Sequence, residues 1–158
     1  MAPTHWLSPR EEADWRALQF MHLRLDGALA RELSESSVLS YPDYVVLVAL
    51  TDQPDHRLRL SALAETLGWE RSRLSHHVSR MRTRGHVDKV PCVEDRRGAI
   101  VVATPEGIRE LRRAAPGHVA AVRRLFIDRL TTAQLSALGD AARAVLGGLD
   151  ADADGAAD

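Results

Sequence analysis

The feature that most restricts this chain is a pair of helical segments three residues apart, followed at once by a hairpin. Ser61 can cap a first short helix that runs through Leu67 and is stopped by Gly68. A second helix opens three residues later. With Glu70 as its cap, Trp69 precedes the cap and Leu74 takes the fourth helical position, the spacing of a hydrophobic staple. This helix runs to about Arg84, where Gly85 ends it. His86–Val93 and Ala99–Ala103 then flank Glu94-Asp95-Arg96-Arg97-Gly98, a polar turn containing glycine, which predicts two paired strands. Helix, tight turn, helix, hairpin is the order of a helix-turn-helix with a wing.

The rest of the chain reads as helix. Ser8-Pro9-Arg10-Glu11 combines an N-cap, a proline at the first helical position and a capping-box glutamate. Trp15, Leu18, Met21, Leu25, Leu29 and Leu33 follow at spacings of 3 and 4, one apolar face that Ser34–Ser37 ends. Ser40 can cap a second helix, whose apolar run Tyr44–Leu50 reads as buried on most sides, and Gln53-Pro54-Asp55 is a turn. Arg57–Leu60 alternates like a very short strand. Thr104-Pro105-Glu106 starts a helix with apolar positions Leu111, Ala115, Val119, Val122 and Phe126; Pro116-Gly117 inside it predicts a kink or local break. Thr131–Gln134 is another capping box, followed by Leu135, Leu138, Ala142, Val145 and Leu149. The fold class expected is mainly α with a small β wing. Its parts are an N-terminal helix (1–39), a winged helix-turn-helix (40–104), C-terminal helices (105–149) and a disordered acidic tail (150–158).

Composition narrows the function. The net charge is only −1, but residues 57–97 carry 10 basic and 5 acidic side chains, a net of +5, whereas residues 1–56 carry a net of −5. A basic segment in a near-neutral chain is the footprint of a polyanion binder, or a solvated face. At 100° per residue, Leu74, Val78 and Met81 of the second short helix fall on one core-facing stripe. Ser72, His76, Ser79 and Thr83 point the opposite way, with Arg73 and Arg80 beside them and no carboxylate among them. A helix entering the major groove needs such a face: donors for guanine and phosphate, small residues for close approach, and no like charge against phosphate. Arg96 and Arg97 at the hairpin tip suit a minor groove, where a narrow A·T-rich stretch concentrates negative potential. Arg57 and Arg59 suit either phosphate contacts or a charged sheet edge.

The segment LRLSALAETLGWERSRLSHHVSRMRTRGHVDKVPCVEDRRGAIVVATPEG resembles the MarR family of bacterial transcription regulators. The matching pieces are LSALAETLG in the first short helix, SRLSHHVSRMRTRGHV in the recognition helix, the DRRG wing tip and the TPEG start of the next helix; residues 40–110 carry the likeness. The resemblance implies a sequence-specific double-stranded DNA-binding regulator, by default a repressor. It implies that Arg97 enters the minor groove while Asp95 holds it by a charge-assisted hydrogen bond. It implies a homodimer whose two ends share a helical bundle, placing two recognition helices about 34 Å apart over an inverted repeat. It also implies a cleft for a small aromatic or phenolic anion, for which His22, Arg24, Tyr41 and His118 are the ligand-binding candidates. For each of these four, interface packing or surface charge is the competing reading.

Other classes find less support. His56, His76, His77, His86 and Cys92 raise the question of a metal, but adjacent histidines on a helix point 100° apart, and no CxxC or HExxH spacing occurs. No GxSxG or phosphate-binding glycine loop occurs, and no paired carboxylates are placed for catalysis in a structured segment, so neither catalysis nor a cofactor is expected. The single cysteine excludes an intrachain disulfide and fits a reducing cytoplasm; on a strand, Cys92 reads as inert packing before a redox sensor. No secretory signal or membrane span is expected. The remaining alternative is a winged helix that binds protein instead of DNA.

Overall fold

Ser8 opens the first helix through the reciprocal bonds its sequence implies. Its hydroxyl accepts the Glu11 amide at 3.3 Å, and the Glu11 carboxylate accepts the Ser8 amide at 2.7 Å. Helix α1 spans Pro9–Ser36 in a computed structural model that describes residues 4–92 and 98–155. Of the apolar stripe, only Leu29 and Leu33 are buried; Trp15, Leu18 and the neighbouring Phe20 face outward. Helix α2, Tyr41–Thr51, is capped by Ser40 and buries Tyr44, Val46, Leu47 and Leu50, as its apolar run predicts.

The winged helix follows: β1 Arg57–Arg59, α3 Leu60–Leu67, α4 Arg71–Thr83, β2 Val87–Pro91 and β3 Ala99–Ala103. The sheet order is β1-β3-β2 with both pairings antiparallel, so β3 is central, Arg57 opposing Val102 and Val87 opposing Ala103. The predicted two-stranded hairpin therefore has a third strand, the short alternating segment before α3. Ser61 is not the cap of α3. The helix starts two residues earlier, with Arg59 in the cap position and no side-chain bond, because Leu60 turns straight from the strand into the core. Gly68 takes φ of 60°, a left-handed conformation that lets Trp69 return its amide to Ala64 at 2.9 Å and closes α3.

Leu74, Val78 and Met81 of α4 are all fully buried, against Leu63 of α3, Leu47 and Leu50 of α2, and Val87 and Val101 of the sheet. Each such aliphatic side chain contributes roughly 2 kcal/mol of burial free energy. Helix α5, Pro105–Leu125, is pinned to the same core at its first turn. The Thr104 hydroxyl donates to the Gly85 carbonyl at 2.6 Å and accepts the Gly107 amide at 3.0 Å. A Cβ at Gly107 would collide with the His86 carbonyl, so only glycine permits this approach. Of the kink or local break expected at Pro116-Gly117, the structure has no break. One helix continues through both, because losing a single backbone donor removes one bond from a helix with turns on either side.

The chain forms two compact units, Met1–Val119 and Ala120–Asp158. In the second, a 3₁₀ turn at Ile127–Arg129 separates the end of α5 from α6, Thr132–Gly155. The predicted capping box opens α6: Thr131 and Gln134 exchange bonds at 2.9 and 3.2 Å. The disorder expected from Asp150 onward is corrected over Asp150–Gly155, which α6 includes. Extending an established helix needs no new nucleation, and alanine, as at Ala151, is the best helix former. Residues 156–158 lie outside the described residues. No described helix is long and apolar enough to cross a membrane.

Candidate nucleic-acid interface

The solvent face of α4 is the one the helical period predicts. Ser72, Arg73, His76, Ser79, Arg80 and Thr83 are all exposed. Ser79 and Thr83 return their hydroxyl protons to the carbonyls of Ser75 and Ser79, at 2.9 and 3.1 Å. Their outward lone pairs are therefore acceptors, matched to the amino groups of adenine or cytosine in a major groove. Ser72 differs. Its hydroxyl and its amide both bond the carboxylate of Glu70, the amide at 2.7 Å. Those bonds, from the Ser72 hydroxyl first and then the backbone, hold Glu70 below the usual carboxylate range. A charged carboxylate thus stands at the N-terminal mouth of α4, next to a face that itself carries none.

Two flanks frame this face. On the sheet side, Lys89 of β2 reaches Ser75 at 3.5 Å, and an open groove of about 450 Å³ is lined by Arg71, Ser72, Ser75 and Lys89. On the α2 side, Arg73, His77, Arg80 and Arg84 recur at helical spacing. Arg73 lies over the Trp69 ring at 5.0 Å, and Trp69 meets the His77 ring nearly edge-on at 5.6 Å. Arg80 Nη2 lies 3.1 Å from His77 Nδ1. Behind this stripe sits Asp43 of α2, with no solvent exposure. Its Oδ2 accepts the Ser40 amide and hydroxyl, at 3.0 and 2.7 Å, and its Oδ1 accepts Arg84 Nη2 at 2.6 Å. His77 Nε2 lies 3.0 Å from the same Oδ1, ion-pair distance though off the line of a straight hydrogen bond. Burial alone would raise the Asp43 pKa; the interactions with His77 and Ser40, and the charge of Arg84, outweigh it and lower it to about 2.

Sequence reasoning misses this cluster, because it weighs His77 only as a metal ligand. The stripe 69/73/77/80/84 is the signal that could have shown it. Among the described residues no group of three or more histidines, cysteines and carboxylates is placed to hold a metal. Asp95, Arg96 and Arg97 lie outside the described residues. Cys92 is buried just beyond β2.

The four ligand candidates separate into two pairs. Tyr41 and His118 come together, ring centres 6.2 Å apart, and Tyr44 joins them at 4.3 Å from His118. Burial lowers the His118 pKa; burial and then the charge of Asp26 raise that of Tyr41. His22 and Arg24 are exposed on α1. The charge that acts on the Tyr41 side chain is that of Asp26, a carboxylate. A cleft of about 370 Å³ adjoins this group between α2 and α5, lined by Tyr44, Val48, His56, Ile108, Leu111 and Arg112.

A sequence profile described as the MarR family matches residues 38–98. A MarR family transcriptional regulator of Streptomyces coelicolor, solved in complex with DNA, is 39% identical with a TM-score of 0.85, over 94% of this chain and 93% of that one. The chain belongs to the MarR family. AbsC, another MarR family transcriptional regulator from Streptomyces coelicolor, is 36% identical with a TM-score of 0.82, over 94% of this chain and 99% of its own. PcaV of the same organism, a transcriptional regulator solved in complex with its natural ligand, is 30% identical with a TM-score of 0.65, over 93% of this chain and 98% of its own. No curated protein matches. The winged helix of this MarR family member, with the exposed face of α4 and the β2–β3 hairpin, is the fold the sequence resemblance implied.

Proposed function

We propose that this MarR family protein is a homodimeric repressor that reads an inverted-repeat site in double-stranded DNA through the outer face of α4. The observation that carries the reading is that face: two arginines, a histidine and acceptor hydroxyls, all exposed, on a chain 39% identical to a regulator solved on DNA. Ser79, Thr83 and His76 meet base edges; Arg73 and Arg80 meet guanine or phosphate. Arg97, positioned by Asp95 and accompanied by Arg96, enters the neighbouring minor groove. The dimer draws on the exposed apolar side chains of α1, among them Trp15 and Phe20, and on those of α6, Val145, Leu146 and Leu149. Helices in 1–39 and 105–149 thus serve dimerisation. A small aromatic or phenolic anion is the proposed effector, received near Tyr41 and His118 and the adjoining cleft.

Salt dependence tests the reading directly. Binding to a duplex selected from the host genome should weaken by about 0.9 log unit per log unit of salt for each phosphate neutralised. Binding indifferent to salt would instead favour a protein-binding winged helix. Adding the effector class to the complex should release DNA; if no phenolic or aromatic acid does so, the effector assignment is wrong while the DNA reading stands.

A further inference from the structure

Arg80 is exposed, yet one of its guanidinium nitrogens is not left to solvent, since Nη2 lies 3.1 Å from His77 Nδ1. The chemistry of the neighbours fixes the state of that ring. A carboxylate only accepts and a guanidinium only donates. Asp43 Oδ1 stands 3.0 Å from Nε2, off the line of a straight hydrogen bond, so a proton on Nε2 faces the carboxylate. Arg80 donates toward Nδ1, so Nδ1 carries a lone pair. A neutral imidazole protonated at Nε2 is the state that turns a donor toward Asp43 and an acceptor toward Arg80. Three further groups hold the ring there: Trp69, nearly edge-on at 5.6 Å, and Arg84 and Ser40, which anchor Asp43. The ring itself is buried and cannot reach a ligand outside.

We infer that His77 is a positioning residue for Arg80: braced by Asp43 of α2, its ring receives the Arg80 guanidinium and sets that side chain's direction along the DNA-facing flank of α4. This rests on the reading of Arg80 as a DNA contact. An arginine has many rotamers, and fixing one before DNA arrives removes part of the ordering cost of the complex. The remaining guanidinium nitrogens stay available, because one interaction with His77 uses only part of a five-donor fork. The same brace ties the pitch of α4 to α2, whose first turn also carries Tyr41 and Tyr44 beside His118.

The test compares wild type, His77→Leu, His77→Gln, Arg80→Ala and the double variant that combines His77→Leu with Arg80→Ala, all on a duplex selected by wild type from a randomised pool. Arg80→Ala should weaken binding about 10-fold. His77→Leu should weaken it too, the double variant should bind like Arg80→Ala alone, and His77→Gln, whose amide can both donate and accept, should recover most of the loss. If the double variant loses the product of the two single losses, His77 does not act through Arg80 and the inference falls. If Arg80→Ala binds like wild type, the contact reading beneath it falls instead. Ring ¹⁵N shifts of His77 in the wild-type protein supply a measurement that needs no variant. The Nε2–H pattern is expected; Nδ1–H, or a doubly protonated ring, overturns the arrangement.

Discussion

Asp43→Asn should remove a stabilisation that depends on pH in a calculable way. The side chain is fully buried, and its pKa falls from an ordinary 3.8 to about 2. Burial opposes that fall; the interactions with His77 and Ser40, and the charge of Arg84, drive it. A carboxyl whose folded value lies below its unfolded one stabilises the fold above the unfolded value and loses that contribution as pH falls toward the folded one. At 1.36 kcal/mol per unit, the contribution is about 2 kcal/mol at neutral pH, with roughly half remaining at pH 3. Asparagine keeps the shape and a hydrogen-bonding oxygen but not the charge. Urea unfolding at fixed protein concentration, from pH 7 down to pH 3, measures the difference between wild type and variant. The gap should be near 2 kcal/mol and flat above about pH 5, then narrow steadily below pH 4. A gap that stays constant to pH 3, or one under about 0.5 kcal/mol at pH 7, refutes the account of Asp43 as a charged anchor.

Three further outcomes are expected. Arg97→Ala should weaken DNA binding several-fold or more while thermal melting and oligomeric state stay as in wild type; equal binding would remove the wing from the interface. His76→Ala should change which base pairs are preferred in a selection from random duplexes, whereas a uniform loss on all sequences would make His76 a phosphate contact. Gly107→Ala should destabilise by about 1–3 kcal/mol, because the new methyl meets the backbone carbonyl of His86 instead of a side chain that can rotate away. A melting temperature unchanged from wild type would show that the first turn of α5 shifts without cost.

What the sequence reveals and what it hides divide along physical lines. The stripe Leu74, Val78 and Met81 is legible because a 3.6-residue period separates core from solvent without reference to any other element. Glu70 as the cap of α4 is legible for the same local reason, but the carboxylate's bond to the Ser72 hydroxyl does not follow from it. The outcome for the C-terminal segment runs the other way. Its aspartates read as solvating tail, yet α6 continues to Gly155, because a residue's helix cost depends on the helix already in place before it. Cap positions are legible where a side chain makes the bond, as at Ser8, Ser40 and Thr131, and misleading at Ser61, where the turn from β1 fixes the start of α3.

The Asp43 cluster is illegible for a deeper reason. Asp43 and Arg84 are 41 residues apart, and no local pattern announces that a capping-box aspartate in one helix will close on the flank of another. Stability alone gives little reason for the arrangement, since well-packed apolar residues of the same volume often fill a buried ion pair's place as well or better. What an apolar replacement cannot do is define a direction for charged side chains at the edge of a helix. Asp43 does this twice, once directly through Arg84 and once through the ring that meets Arg80. The interior charge therefore makes sense through the exposed face it orders. The same face shows why net charge is a poor guide: a chain at −1 can hold a cationic surface when its compensating carboxylates are buried behind that surface or placed on other elements.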